Sequence, residues 1–488
     1  MFDADAHNVL IDPSVIECYC HSKILLLIYK LPFGEIQHLI KHLFGSYYLF
    51  FSYIRRKTMH RTSLYSLFVC LLLQSLPSFA FTVLPPLSQI DAYKVIQLEG
   101  LDIPQAVGME ISELSLAAVI DDVIEPIPYQ IDEYNTGGAI YFKDWDVPID
   151  GTVDIFDSAD KLLFVFKDAG PRKQAQHIID GELVAEIELR GKDEVSRYVY
   201  LMRNSKLRSQ EQYVRYSSEL ARVETDFYNL TYDKENHLKW MEFSARDFIG
   251  EPPLDSMKIR LDAGLVTALA QTQLNNDEFI ALPKGEVIGP IRTTTQLEVT
   301  LWLVNIPILE ISLQLHHYPK AIMYDVRVIM PRLRRQLLSD PVLGMSLEGN
   351  KLLGATMRTA LGPIEGGIVD GIIDENEQTM IESGVDKTNN WIWVATQRNL
   401  DVVAFFNFLG ETNEPISLQL YDSLDNEDPP ERFPGQLPNM GYKILNFPNS
   451  GFFGFVVTMF LERGFRGEPE DFTEDLRTTP EIKINAKL

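Results

Sequence analysis

The chain has 488 residues, 45% of them hydrophobic and 23% charged, and a formal net charge of −25. So acidic a balance argues against nucleic acid, whose phosphates would repel it, and against adsorption to anionic lipid. The length supports more than one core, and the three cysteines, Cys18, Cys20 and Cys70, all precede residue 80.

Taken in chain order, the first 58 residues are apolar but broken by Lys30, Pro32, Glu35 and Lys41, so they hold no clean span of about 20 residues. Next comes "MHRTSLYSLFVCLLLQSLPSFAFT" at 59–82. His60 and Arg61 follow Arg55, Arg56 and Lys57 to make a cationic start. Leu64–Leu73 is a short apolar run, and Ser78-Phe79-Ala80 supplies small residues for cleavage. The expectation is a signal peptide over 59–80, with translation starting at Met59 and 1–58 an untranslated extension. The alternative is a membrane-associated extension that keeps the chain tethered. On the first reading the mature chain is free of cysteine, which removes thiol catalysis, disulfides, zinc–thiolate and iron–sulfur chemistry. A periplasmic or extracellular location follows, with membrane contact only through the leader during export.

Beyond residue 84, patterns of period two dominate. "KVIQLEG", "MEISELSLAAVI", "KLLFVFKDAG", "LVAEIELRG" and "RYVYLMRN" predict the strands of a β domain over 85–210. The longest signal is "QLEVTLWLVNIPILEISLQLHHY". Leu297, Val299, Leu301 and Leu303 share one face. After Asn305 and Pro307, Leu309, Ile311, Leu313 and Leu315 share one face of the return, and Glu298 and Glu310 exclude a membrane span. This hairpin, with "MYDVRVIM", "NWIWVATQ", "LDVVAFFNFLG", "ISLQLYDSL" and "GFFGFVVTMFLERG", predicts a larger antiparallel domain over 211–470. Helix is expected only in short pieces such as "PRLRRQLLSD" and "LLGATMRTAL". "SLDNEDPPERFPGQLPNMG" reads as a surface loop, and 471–488 as a polar tail with one terminal strand at most.

The densest acids are Asp144, Asp146, Asp150, Asp154, Asp157 and Asp160. Carboxylates so spaced can wrap Ca²⁺, which takes roughly six to eight oxygens. The EF-hand register fails, because Pro148 stands at the third ligand position and no Glu closes the loop. The competing reading is a set of Asx turns. "VDGIIDENEQ", with Asp370, Asp374, Asn376 and Glu377, is a weaker candidate of the same kind. No cofactor other than calcium is expected.

"IPYQIDEY" at 127–134 and "DSADKLLFVFKDAG" at 157–170 resemble a pattern found in exported bacterial proteins of uncharacterised function, with "DSMKIR" at 255–260 and "VIGPIR" at 287–292 as further pieces. The Gly-Pro-x-Arg turn before long strands is also similar to β-supersandwich domains of the galactose-mutarotase type, common in carbohydrate-handling proteins. With that resemblance the expected fold class is all-β, an antiparallel β-sandwich followed by a larger β-supersandwich-like domain.

Four histidines lie beyond the leader: His177, His237, His316 and His317. On a strand His316 joins the polar face of Glu310, Ser312 and Gln314, and His317 points to the core with Leu315. His316 and Tyr318 share a face and are a candidate base–acid pair for a glycan lyase, against ordinary strand residues. Arg260, Arg292 and Arg327 each fall at a polar strand position. On adjacent strands they would grip a carboxylate or sulfate; apart, they pair with the abundant acids. Trp391 and Trp393 share a face, as a stacking platform for sugar rings or as core.

No Gly-x-Ser-x-Gly elbow, phosphate-binding loop, dinucleotide fingerprint or His-Glu-x-x-His helix occurs. The function expected is that of an exported periplasmic or envelope protein binding a glycan or another envelope component. The alternatives are a polysaccharide-active lyase or hydrolase, and a structural partner that pairs its edges with envelope proteins.

Overall fold

In a computed structural model the described residues are 84–486, apart from 266–269, 304–305, 331, 337, 411–414, 448–450 and 465–466. The leader, with Cys18, Cys20 and Cys70, lies outside them. The chain from Phe81 to Leu488 is one compact unit. It is almost wholly antiparallel β, in agreement with the expected all-β class.

Its smaller body contains a five-stranded sheet, ordered Glu481–Ala486, Glu182–Arg190, Ser196–Arg203, Leu114–Ile120, Val123–Pro126. A three-stranded sheet of Val95–Glu99, Lys161–Val165 and Tyr129–Asp132 completes this body. One core joins the two, with Leu98, Leu116, Phe156, Phe164, Ile187 and Leu201 fully enclosed. The terminal segment is more than a polar tail. Pro469–Arg477 forms a helix, and 481–486 then pairs along 185–190 as an edge strand of the first sheet.

The larger body is a sandwich of two large layers, with a four-stranded sheet of Val214–Ser217, Arg222–Thr225, Tyr228–Tyr232 and Trp240–Ala245 packed into the same core. Its long strands, in chain order, are β1 (Leu254–Leu265), β2 (Thr293–Leu303), β3 (Ile306–His317), β4 (Ala321–Met330), β5 (Leu338–Gly349), β6 (Ile416–Ser423), β7 (Gln436–Leu445) and β8 (Gly451–Glu462). One layer has five strands in the order Ala270–Leu274, β1, β5, β7, β6. The other has nine, running from Phe279–Ile288 through β2, β3, β4 and β8 to Asp401–Phe408, Ile392–Ala395, Thr356–Thr359 and Gly367–Ile368. The expected hairpin is β2–β3, in register from Thr293↔His317 to Leu303↔Ile306. Leu297, Val299, Leu301, Ile311, Leu313 and Leu315 are buried as the alternation requires; the side chains of Leu303 and Leu309 are outside the described set. They meet Met257, Ile259, Leu261, Met345 and Tyr442 of the other layer in one core. Burying each such side chain contributes about 1.5–3 kcal/mol. The packing leaves one apolar cavity of about 50 Å³ between Met257, Tyr324, Met345, Tyr442, Val457 and Met459.

Two local expectations are corrected. "LLGATMRTAL" holds strand Thr356–Thr359 rather than a helix, because Met357 and Thr359 pair into the nine-stranded sheet. The acids around 374 form a helix start instead of a loop: Glu375–Ser383 is a helix with a capping box. The Asp374 carboxylate accepts from Glu377 N and the Glu377 carboxylate accepts from Asp374 N, both at 2.9 Å. Among the described residues no helix is long and apolar enough to cross a membrane.

Candidate ligand-binding face

Each sandwich layer has an outer face, and the two are covered differently. On the nine-stranded layer the polar alternation positions of β2, β3 and β4 carry Thr294, Gln314, His316 and Arg327. The smaller body lies across them. Gln314 Oε1 accepts from Ile140 N at 2.9 Å, and its Nε2 donates to Ile140 O at 2.8 Å. Gln130 Oε1 accepts the backbone N–H of Arg292 at 2.9 Å, and its Nε2 donates to Asp132 at 2.6 Å. Arg292 donates through Nε to Asp132 at 3.1 Å and through Nη1 to the Tyr318 hydroxyl at 2.7 Å. Gly289 is needed there, since a Cβ would stand 2.0 Å from Gln130 Oε1. Two pieces of the resemblance, "IPYQIDEY" and "VIGPIR", therefore meet as one buried network.

That burial decides several candidates. His316, only 4% exposed, is 2.9 Å through Nδ1 from the Thr294 hydroxyl, and burial beside Arg292 and His317 holds its pKa well below the ordinary value. Tyr318, 6% exposed, takes the Arg292 bond, and burial pushes its hydroxyl pKa up. The pair is adjacent, with ring centres 6.4 Å apart, but both side chains are buried at the join of the two bodies. His317 faces the core as the alternation predicts, between the hydroxyls of Tyr228 and Tyr232 at 3.1 Å each. His237 stacks on Tyr232.

The three arginines do not converge on one anion. Arg260 is on β1 of the five-stranded layer, Arg292 precedes β2, and Arg327 is on β4, where it pairs with Asp325 at 3.0 Å and donates to Gly137 O and Gly138 O. Trp391 and Trp393 are buried, with Trp393 against Phe472 of the 469–477 helix at 4.9 Å. They are core because that helix covers their face. Of the acidic loop, Asp144, Asp146, Asp150 and Asp154 are exposed. Asp157 accepts from Thr152 N at 2.5 Å, and Asp160 accepts from Asp157 N at 2.7 Å and Tyr134 N at 3.2 Å. Burial raises Asp160 to about 6. These are turn-closing carboxylates, and the six do not gather into one coordination shell.

Among the described residues the acids that do converge are Asp255, Glu348 and Glu431, each offering an oxygen within 4.8 Å of the others. They lie on the outer face of the five-stranded layer. Alternation on β1 sends Met257, Ile259 and Leu261 inward and Lys258 and Arg260 outward; on β5 it sends Met345 inward and Ser346 and Glu348 outward. A register break between Leu254 and Met257 brings Asp255 to the outer side, 3.6 Å from Lys258 Nζ. The Lys258 ammonium stands among the three acids, 2.6 Å from Glu348 and 3.3 Å from Glu431, and donates to Asp428 O and Pro430 O at 2.7 Å each. A divalent cation held by these acids would have to displace it.

Arg260 continues the row. Its Nε donates to the Asp428 carboxylate at 2.7 Å, its Nη2 to Asp428 O and Pro429 O at 3.0 and 2.9 Å, and its Nη1 to Asn276 Oδ1 at 2.8 Å. Beyond it Gln419 Nε2 donates to Ser346 at 3.0 Å, and Asn439 Nδ2 to Gln436 at 3.2 Å. Gly344 leaves the room these side chains use: a Cβ there would be 2.8 Å from Gln419 Oε1. The cover is the loop 424–435, which forms no helix or strand of its own. It is tied down by Asp428 and Glu431 and by Arg432, whose Nε donates to Asp255 at 3.1 Å and whose Nη2 donates to Leu254 O at 3.0 Å.

Glu348 is the most perturbed acid here. Its side chain is fully enclosed, and burial lifts its pKa to about 8 against the opposing pull of Lys258, with the charges of Glu431 and Asp255 adding to the rise. Burial thus favours the protonated form of Glu348, beside Lys258 and near the 424–435 loop.

No protein-family profile matches the chain, and no curated protein sequence does. Among solved structures it is weakly similar to an α-mannosidase from Enterococcus faecalis V583, at 9% identity and a TM-score of 0.39, over 82% of this chain and 45% of that one. It is also weakly similar to a galactose 1-epimerase from Lactobacillus acidophilus NCFM, at 9% identity and 0.30, over 58% of this chain and 100% of that one. The heparan sulfate lyase HepC from Pedobacter heparinus matches over 38% of this chain and 22% of its own length, at 11% identity and 0.24. The chain thus spans less than half of the mannosidase and under a quarter of the lyase, and its likeness to these β-sandwich proteins is slight.

Proposed function

We propose that the protein is an exported periplasmic or cell-envelope protein that binds a glycan on the outer face of its five-stranded layer. One observation carries this reading: amide and hydroxyl side chains on adjacent strands, Ser346, Gln419, Asn439 and Gln436, form a continuous polar row on the same face as Lys258 and Arg260, whose cover is a loop rather than a folded body. Groups that both donate and accept are suited to sugar hydroxyls, which do the same. The row and the cations beside it are buried, and on this reading binding goes with lifting of the 424–435 loop from Lys258 and Arg260.

Titration of the full chain with neutral and acidic oligosaccharides, with and without chelator, tests the proposal. Binding is expected, and Gln419→Ala is expected to weaken it about tenfold, the value of roughly one good polar contact. Silence across neutral and acidic sugars overturns it. N-terminal sequencing tests export: a start near Phe81 supports it and an intact Met1 overturns it.

A second reading, a polysaccharide-active enzyme, is favoured by Glu348, whose raised pKa of about 8 suits a general acid at neutral pH. It predicts depolymerisation that Glu348→Gln abolishes while binding persists.

A further inference from the structure

On the reading that this face binds glycan, we infer that the ligand is an acidic sugar whose carboxylate takes the place of Asp428 on Arg260, the 424–435 loop being a built-in stand-in for it. The argument rests on what leaves with the loop and what stays. Asp428 and Glu431 belong to the loop, together with the carbonyls of Asp428, Pro429 and Pro430. Lys258 and Arg260 belong to β1. Arg260 is held from behind, its Nη1 donating to Ile259 O and Asn276 Oδ1 at 2.8 Å each, so its orientation does not depend on the loop. Its free edge, Nε and Nη2, is the part the loop occupies, with a carboxylate oxygen at 2.7 Å on Nε and carbonyl oxygens on Nη2. Lifting the loop exposes a fixed guanidinium fork of the shape that takes a carboxylate in two parallel bonds.

The charges point the same way. The loop removes two carboxylates and one guanidinium, Arg432, from the face. Lys258 then keeps the Asp255 carboxylate at 3.6 Å, with the Glu348 carboxyl beside it, while Arg260 keeps no carboxylate. A neutral sugar would leave that guanidinium desolvated without a counter-charge, which is costly; a uronate restores it. Gln419, next to Arg260 across Gly344, begins the amide row that continues to Asn439 and Gln436 and is placed for the hydroxyls of the same chain. Arg292 and Arg327 do not compete for the anion, since they face the smaller body on the opposite layer.

Because the face is competent only when the loop is up, apparent affinity is reduced by the fraction of molecules that are open. The test is calorimetric titration of the full chain with oligogalacturonate, and with a neutral galactose oligomer as the matched probe. Asp428→Asn with Glu431→Gln keeps the shape of the loop and removes its charge, and is expected to bind oligogalacturonate about tenfold more tightly than the unmodified protein, by raising the open fraction. Arg260→Gln is expected to lose oligogalacturonate while retaining the neutral oligomer. A measurement on the unmodified chain avoids any folding defect of Arg260→Gln: oligogalacturonate should increase cleavage after Glu427 by a glutamate-specific protease, and the neutral oligomer should not. Equal affinities for the two probes, or no gain in the double variant, overturn the inference. Binding of the neutral oligomer alone overturns it and leaves the glycan reading standing, whereas no binding of either probe by either protein overturns both.

Discussion

Arg292 and Arg260 are chemically alike and differ in what covers them. Each is a buried guanidinium from a similar-looking Arg position, and each meets an aspartate from a distant segment, Asp132 and Asp428. Asp132 belongs to strand Tyr129–Asp132, paired along Lys161–Val165, and it also accepts from the Gln130 amide. Asp428 belongs to a loop that contributes no strand. The first pair cannot part without separating two bodies; the second can part by moving about a dozen residues. Which buried ion pair is structural and which can open is decided by the cover and not by the pair.

The sharpest way to break this contrast is to remove each arginine. Arg292→Met leaves Asp132 enclosed without a counter-charge, and about 3–5 kcal/mol of stability in denaturant unfolding should be lost. Arg260→Met should cost about 1 kcal/mol, a typical single hydrogen-bond contribution, because Asp428 can rise into water with the loop. Equal losses would end the distinction.

Next in size is the pH dependence of the Glu348 cage. Its folded pKa, about 8, lies above the unfolded value, so the folded state holds the proton more firmly. The contribution to stability is complete below the unfolded value of 4.5 and is lost as pH rises through about 8. Unfolding midpoints should fall between pH 5 and 8, with a slope of at most about 1.4 kcal/mol per pH unit, and Glu348→Gln should flatten that fall. An unchanged profile in the variant would show that the carboxyl titrates normally. The smallest effect belongs to the exposed pair Lys351–Glu251, at 2.6 Å with both side chains 60% exposed. Lys351→Met should change stability by less than about 0.5 kcal/mol.

Much of the architecture was legible from period-two alternation, because both sandwich layers bury one face and hydrophobic spacing alone sets that face. The β2–β3 hairpin and the inward His317 follow from it directly. The site was less legible. Arg260 was visible as an outward residue, but the acids around Lys258 beside it, Asp255, Glu348 and Glu431, come from β1, β5 and the loop, and only tertiary pairing brings them together. A lysine and an aspartate three apart on a strand should face opposite ways; the register break that turns Asp255 outward leaves no mark in spacing. His316, Trp391 and Trp393 misled for the converse reason. Polar or aromatic alternation marks an outer face, yet the smaller body and the 469–477 helix cover these faces. The helices at 375–383 and 469–477 escaped notice because they are short and carry few apolar residues. Their start signals, Asp374 with Glu377 and Pro469 at the first turn, were the available clue.

The strand at 481–486 sets an order on assembly. It pairs along 185–190 in the sheet formed by 114–126 and 182–203, so that sheet is complete only once a segment far downstream in the chain has joined it. Until 481–486 arrives, strand 182–190 presents an unpaired border open to other chains. Keeping that border from its neighbours until 481–486 has paired is the demand this topology places on folding.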